Sequence, residues 1–156
     1  MHRPRPGRDG GNGRRAGALR QNAGVSVADE QKVTAFEAVG GHAFFERLVA
    51  AFYAGVALDP LLRLMYPEAD LAPAAHRLRL FLEQYWGGPT TYSEQRGHPR
   101  LRMRHAPYPV DTAASDRWLA HMRAALDEQA LPAELDALLW QYFQTAAPAM
   151  VNAPRG

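Results

Sequence analysis

The residues best suited to chemistry lie in one short stretch, in which three arginines alternate with apolar residues and lead to a histidine. The stretch is Arg100-Leu101-Arg102-Met103-Arg104-His105, and Ala106 and Pro107 follow at once. Proline cannot continue a helix and disfavours helical geometry in the residue before it, so His105 should lie near the end of a short helical turn. From there its imidazole can enter a cavity while the arginines reach solvent or an anion. Taken alone, the stretch has a plainer alternative, a solvated basic edge with a surface histidine.

The chain contains no cysteine. This excludes disulfides, thiolate nucleophiles, iron–sulfur clusters, cysteine-type zinc sites and a thiolate-ligated haem. Any metal must therefore be held by histidine, methionine, tyrosine or a carboxylate.

Length and composition favour one ordinary domain. The chain has 156 residues, of which 47% are hydrophobic and 22% charged, so a core can be built. No apolar run is long enough to cross a bilayer, and the N-terminal residues lack the apolar segment of a secretory signal. We therefore expect a cytoplasmic protein.

The first 33 residues differ in composition from the rest. They are rich in glycine, arginine and proline and show no hydrophobic period, which predicts a disordered Arg/Gly-rich N-terminal extension. Residues 1–28 carry a net charge of +5, so the remainder of the +2 chain carries −3. Such a tail could bind nucleic acid or anionic surfaces, but a dispensable extension or a start-site artefact is favoured. We expect no stable binding to nucleic acid or membranes.

Beyond the extension, apolar residues recur with helical spacing. Phe44, Leu48, Phe52 and Val56 are four residues apart and predict a largely buried helix over residues 42–58. Similar stripes and stop signals predict further long helices over residues 73–85, 112–129 and 131–148, and short helical turns over residues 35–39 and 60–64. The predicted fold class is all-α, built from two antiparallel helix pairs.

Two stretches call for separate predictions. The segment from Gly88 to Gly97 has little apolar content and is predicted to be a long connection, of the kind that is usually functional or mobile. In the last helix, the positions predicted to face inward are Leu135, Leu138, Leu139, Tyr142, Phe143 and Ala146.

Several motifs together resemble a known family, the truncated haemoglobins of the second group, and most closely their mycobacterial oxygen-binding type. The most specific block extends from Phe81-Leu82-Glu83-Gln84-Tyr85-Trp86-Gly87-Gly88-Pro89 to His105-Ala106-Pro107. Shorter matches in the same order are Val39-Gly40-Gly41, Phe52-Tyr53, Met65-Tyr66-Pro67 and Trp118. The resemblance covers roughly residues 34–152, so residues 34–156 are expected to form a truncated globin domain.

The resemblance implies a two-over-two helical sandwich around a b-type haem. In it, His105 matches the proximal ligand of the iron, and Arg77 and Arg104 match positions near the haem propionates. The polar distal residues are matched by Tyr53, Tyr66 and Trp118, and the distal helix by Ala74 and Leu78. Further contacts with the cofactor are expected from Leu78, Phe81, Met103 and Tyr108.

The residue chemistry agrees with these roles. Haem iron needs one strong axial ligand, which a neutral imidazole supplies in globins. His105 is the first candidate, and His98, two turns earlier, is its one serious rival. Guanidinium groups pair with carboxylates through two parallel hydrogen bonds, which suits Arg104 beside the proximal histidine for a propionate.

The distal residues suggest how a ligand would be held. Dioxygen in such a pocket carries partial negative charge on its outer oxygen, so hydrogen-bond donors in a low-dielectric site stabilise it more than carbon monoxide. Tyrosine hydroxyls and the tryptophan indole N–H are such donors. Each of Tyr53, Tyr66 and Trp118, taken alone, could instead be an ordinary core aromatic.

Three functions are open at this point. The first is haem-based binding of dioxygen and other diatomic gases, nitric oxide and carbon monoxide among them, with slow release. The second is a nitric oxide dioxygenase or peroxidase-like enzyme, which would need a separate reductase. The third is a haem-free helical interaction module, against which the distal donors argue. Trp140 hints at an interface in a homo-oligomer, although a core role is equally compatible with its position.

Overall fold

A computed structural model describes residues 33–153, and every regular element within this range is a helix. In chain order the helices are α1 (Ala35–Val39), α2 (Gly41–Ala57), α3 (Pro60–Arg63), α4 (Ala72–Tyr85), α5 (Thr91–Arg96), α6 (Leu101–His105), α7 (Thr112–Gln129) and α8 (Ala133–Ala149). The predicted all-α class is confirmed. The predicted disorder of residues 1–33 lies, apart from Val33, outside the described residues.

Four long helices form the frame. Helix α2 packs against both α4 and α7, and α7 packs against α8. The pair α2 and α4 therefore stacks on the pair α7 and α8. The inner face of α2 is almost wholly buried, with Phe44, Phe45, Leu48, Val49, Phe52, Tyr53 and Val56 in the core. Within the described range, no helix is both long and apolar enough to cross a bilayer.

Local sequence signals explain where these helices begin and end. The Thr34 hydroxyl accepts a hydrogen bond from the Glu37 N–H at 3.1 Å and caps α1, which ends at Gly40 in a left-handed conformation with φ of 116°. Asp111 caps α7 by accepting from the Ala114 N–H at 2.8 Å. Pro148 falls in the last turn of α8, as predicted for a residue that ends a helix.

The predicted connection over residues 88–97 is wrong in one respect, because it contains the helix α5. The segment is anchored by Gln84, whose side chain accepts from the Ser93 N–H at 2.9 Å and donates to the Ser93 hydroxyl at 2.7 Å. Tyr92 is its buried side chain and packs edge-on against Phe81 at 5.7 Å between ring centroids. A helix of this length with one buried side chain shows no apolar period, so the pattern could not predict it.

The inward prediction for Leu138 is also wrong, because this side chain is 44% exposed. Its neighbour Leu139 is fully buried, as is Phe143 four residues further on. Adjacent residues of a helix point about 100° apart, so a helix that buries Leu139 and Phe143 turns Leu138 towards solvent.

Candidate functional site

A cavity of about 500 Å³ lies between the helices, a size typical of small-molecule and cofactor sites, which span roughly 300–1,000 Å³. Its wall includes all but one of the residues predicted for the site: Tyr53, Tyr66, Ala74, Arg77, Leu78, Phe81, Arg104, His105, Tyr108 and Trp118. The exception is Met103, which is 66% exposed and lies outside the cavity wall. Side chains from α2, α4, α6 and α7 therefore meet at one cavity.

The hydrogen bond of His105 determines which ring nitrogen carries the proton when the ring is neutral. Its Nδ1 lies 2.7 Å from the Leu101 carbonyl oxygen, and a carbonyl can only accept. Nδ1 therefore carries the proton and donates it, which leaves Nε2 of the neutral imidazole with a free lone pair. This is the tautomer that a metal-ligating histidine needs, with its orientation set by a backbone carbonyl.

The other histidines of the described range are placed elsewhere. His98 is exposed and does not line the cavity. His42 and His121 are paired with carboxylates, through Nδ1 to Glu83 at 2.7 Å and through Nε2 to Asp59 at 2.8 Å. Among the histidines of residues 33–153, the cavity wall includes His105 alone.

Helix α6, which presents His105, is held by polar contacts with the backbone. The Arg104 guanidinium donates to the carbonyls of Pro99 at 2.7 Å, Arg96 at 2.7 Å and His98 at 3.3 Å. It also lies over the Tyr92 ring, 5.6 Å from the centroid. Arg104 therefore shapes the loop before α6 in addition to lining the cavity.

A second polar contact ties α6 to the C-terminal part of the fold. The Asn152 amide donates to the carbonyls of His105 and Tyr108, both at 3.0 Å, and its oxygen accepts from the Val110 N–H at 2.8 Å. This role could not be predicted, because a lone asparagine 47 positions from His105 shows no local pattern.

The predicted distal aromatics form one contiguous group. The rings of Tyr53 and Tyr66 meet edge to face at 5.6 Å between centroids, and Trp118 packs on Phe52 at 4.8 Å. Burial raises the pKa of Tyr53, and the neighbouring Tyr66 raises it further. Burial also raises the pKa of Tyr66, and hydrogen bonding with Tyr53 and Trp118 offsets part of that rise. Both phenols stay protonated and can act as donors.

Arg77 lines the cavity and is paired with Glu68, whose Oε1 accepts from Arg77 Nη2 at 2.8 Å. This guanidinium lowers the pKa of the Glu68 carboxyl. The pair fixes the position of the Arg77 cation within the cavity wall, which Glu68 also lines, and the two side chains are about one third exposed, at 35% and 32%.

Two buried polar atoms of the cavity wall have no hydrogen-bond partner among the described residues, the Ser115 hydroxyl and Oε2 of Glu68. Buried polar groups are nearly always paired, so such atoms in a cavity wall indicate that something polar or a water completes the site. Ser115 and Arg96, which also lines the cavity, were missed by sequence reasoning. Ser115 could have been noticed as the residue one helical turn before Trp118.

The match to known proteins defines the class. Residues 34–152 match the profile of the bacterial-like globins, and the chain belongs to this family. It is 40% identical over 117 residues to the group 2 truncated haemoglobin of Bacillus subtilis strain 168, a match spanning 75% of this chain and 87% of that protein.

Solved structures agree. The thermostable haemoglobin of the actinobacterium Thermobifida fusca shares 64% identity and superposes with a TM-score of 0.77, covering 79% of this chain and 100% of that one. The truncated oxygen-avid haemoglobin of Bacillus subtilis shares 39% identity and superposes with a TM-score of 0.73, covering 77% and 100% respectively. The fold is therefore that of a truncated globin.

Membership of this family implies a haem cofactor, and the residues of the cavity fit one. Haem is a flat, largely apolar group with two carboxylates and an iron that needs an axial nitrogen. The cavity supplies apolar wall residues such as Leu78 and Phe81, cations at Arg77 and Arg104, and a neutral imidazole at His105.

Proposed function

We propose that this protein binds dioxygen reversibly through a b-type haem and releases it slowly, under the control of Tyr53, Tyr66 and Trp118. The observation that carries the proposal is the placement of three aromatic hydrogen-bond donors in the wall of the same cavity that His105 lines. The likeness to the oxygen-avid haemoglobin of Bacillus subtilis supports it. We extend the proposal to the subgroup and assign the chain to the mycobacterial oxygen-binding type.

The chain's own residues would divide the work as follows. Haem, when bound, supplies the iron that takes up a diatomic gas. His105 would hold that iron through Nε2, with Nδ1 kept on the Leu101 carbonyl at 2.7 Å. Arg104 would hold a propionate, since its Nη1 makes no hydrogen bond within the described residues while Nε and Nη2 hold the loop. Arg77 would hold the other.

The distal residues would then set the selectivity among gases. Tyr53 is 9% exposed, so its hydroxyl acts in a site from which most water is excluded. Donors in such a site stabilise a polar ligand such as dioxygen more than the less polar carbon monoxide. Ala74, where larger globins carry a distal histidine, leaves this side of the cavity sterically open.

The experiment that tests the proposal compares the release of two gases from the Trp118→Phe variant. The change removes the indole N–H and leaves an aromatic ring. A hydrogen bond of about 1 kcal/mol corresponds to a roughly fivefold faster release of dioxygen, with carbon monoxide release little changed. Stopped-flow displacement measures both rates.

Trp140→Phe is the matched control. Trp140 lies on α8, is half-buried, and has Arg123 stacked over its ring at 5.0 Å, outside the cavity wall. We expect this variant to release both gases at the parental rates. Equal acceleration of dioxygen and carbon monoxide by Trp118→Phe would contradict the hydrogen-bonding role.

The same residues would also suit oxidation of nitric oxide with electrons from a separate reductase. Turnover of nitric oxide in the presence of a cellular reductant separates the two roles. A single turnover favours the oxygen-binding role, and sustained turnover favours the enzyme.

A further inference from the structure

We propose that Asp59 is a positioning residue that sets the spacing between Tyr66 and Trp118. The inference rests on the proposed function, because it concerns how two of the proposed oxygen-holding donors are kept in place. Asp59 itself does not line the cavity. It acts through the two chain segments that carry the donors.

The Asp59 carboxylate is a buried junction between α3 and α7. Its side chain is 4% exposed. Oδ1 accepts from the N–H groups of Leu61 at 3.0 Å and Leu62 at 3.4 Å, which caps α3. Oδ2 accepts from two side chains of α7, Arg117 Nε at 2.9 Å and His121 Nε2 at 2.8 Å, and Arg117 Nε also donates to Oδ1 at 3.1 Å.

On the α3 side, Asp59 begins a continuous hydrogen-bonded segment that ends at Tyr66. The Met65 N–H donates to the Leu62 carbonyl at 3.0 Å, and the Tyr66 N–H donates to the Arg63 carbonyl at 3.3 Å. The Arg63 guanidinium also donates to the Tyr66 carbonyl at 3.1 Å. The backbone of Tyr66 is therefore fixed relative to the carboxylate seven residues earlier.

On the α7 side, the two partners of Asp59 bracket Trp118. Arg117 directly precedes it, and His121 lies one helical turn after Arg117 on the same face of α7. A carboxylate that holds both partners fixes the rotation of α7 at the point where Trp118 enters the cavity wall. The Asp59 side chain thus connects the segment that carries Tyr66 to the helix that carries Trp118.

An independent observation shows that the His121 ring has no free space on the side facing α2. A Cβ atom placed on Gly55 of α2 would lie 2.5 Å from Nδ1 of His121. The His121 ring is therefore confined between the backbone of α2 and the carboxylate of Asp59. A change in the Asp59 contact cannot be absorbed by moving His121 towards α2.

Capping alone does not require this residue type. Asparagine caps helices as well as aspartate does, so an amide would satisfy Leu61 and Leu62. Only a carboxylate offers a second acceptor oxygen for Arg117, which can donate and never accept. Arg117 and His121 both lower the pKa of Asp59, so the bridge is charged at neutral pH. The change Asp59→Asn therefore keeps the cap and the longer Arg117 contact at Oδ1, and it removes the two shorter bonds to α7 at Oδ2.

The test uses the carbon monoxide complex of the full-length holoprotein with 15N-labelled tryptophan. We expect Asp59→Asn to shift the Trp118 indole N–H resonance and to speed its hydrogen exchange. In the oxygen complex, we expect dioxygen release to accelerate by about threefold to tenfold, the range of one weakened hydrogen bond. In the Trp118→Phe background we expect Asp59→Asn to accelerate dioxygen release less than it does in the parental protein, because only its effect through Tyr66 remains.

Glu83→Gln is a matched control. Glu83 is also a buried carboxylate, 5% exposed on its side chain, and it is also paired with one histidine and one arginine, His42 and Arg79. It joins α4 to α2 and leaves Tyr66 and Trp118 untouched. We expect Glu83→Gln to destabilise the fold comparably while the Trp118 resonance and the release rates stay at parental values.

A second variant tests the same bridge in case Asp59→Asn does not fold. Arg117→Gln removes one arm of the bridge from a side chain that is 53% exposed, and we expect a smaller shift in the same direction. An unchanged Trp118 resonance in both variants would overturn the inference, as would release rates that multiply in the double variant. If Trp118→Phe alone leaves dioxygen release unchanged, the proposed function fails, and the Trp118 resonance still decides the role of Asp59.

Discussion

The two sides of the cavity are built in different ways. Tyr53 belongs to the buried face of α2 beside Phe52, so this distal donor is an extension of the hydrophobic core. On the proximal side, α6 has no buried residue, and His105 is positioned by the Leu101 carbonyl, Arg104 and Asn152. Packing orders Tyr53 on the side proposed to discriminate between ligands, with Asp59 proposed to position the other two donors, whereas hydrogen bonds to the backbone order the side proposed to hold the cofactor. The first should be rigid in the absence of haem, and the second should gain most from its arrival.

The largest effect is expected from His105→Ala, which removes the proposed iron ligand from the proximal side. We expect haem affinity to fall by more than about 100-fold, because even outer-shell partners of a metal ligand cost 10- to 100-fold. The Soret band and the rate of haem transfer to an acceptor globin measure the loss. His98→Ala is the control and should leave both at parental values; haem loss from His98→Ala with none from His105→Ala would move the ligand to His98.

Gly55→Ala should destabilise the fold by crowding His121, the histidine that contacts Asp59. The new methyl group meets His121 Nδ1 at 2.5 Å, and overpacking of this kind costs about 1–3 kcal/mol. The gain in helix propensity of about 1 kcal/mol offsets part of this, so we expect a net loss in the free energy of unfolding by urea. In the His121→Ala background the same change should be stabilising. A loss that persists there would place the clash elsewhere.

The smallest expected effect concerns the proximal side. Asn152→Ala removes two hydrogen bonds to the carbonyls of His105 and Tyr108 and one from the Val110 N–H. Because these contacts are partly solvent-exposed, we expect a loss of only about 1 kcal/mol, seen as severalfold faster haem loss. The ratio of dioxygen to carbon monoxide release should stay at its parental value. A changed ratio would show that the two sides are not independent.

The sequence predicted the long helices well because each buries a repeating stripe. It could not predict α5, which buries Tyr92 alone, nor the exposure of Leu138, which depends on how α8 is rotated against its neighbours. The placement of site residues followed mainly from resemblance to a family. Helical periodicity alone predicted that Tyr53 faces the core, but it did not predict that Tyr53 contacts a bound gas.

Polar contacts between distant positions escaped sequence reasoning for a common reason. The cap that Asp59 gives α3 follows a local pattern, an aspartate directly before a proline at the start of a helix. Its bonds to Arg117 and His121 span 58 and 62 positions, and no local pattern records which helix will lie opposite. The role of Asn152 was missed for the same reason.

The side-chain bonds of Arg104 and His105 have a consequence for engineering. All their acceptors lie between Arg96 and Leu101, within eight positions of the donor. The guanidinium thus acts as a noncovalent cross-link that closes a short loop, and short loops lose little chain entropy on closure. Residues 96–105 therefore include both His105 and the carbonyls that its side chain and that of Arg104 contact. This segment could be grafted as a unit onto another helical scaffold to provide an axial nitrogen ligand.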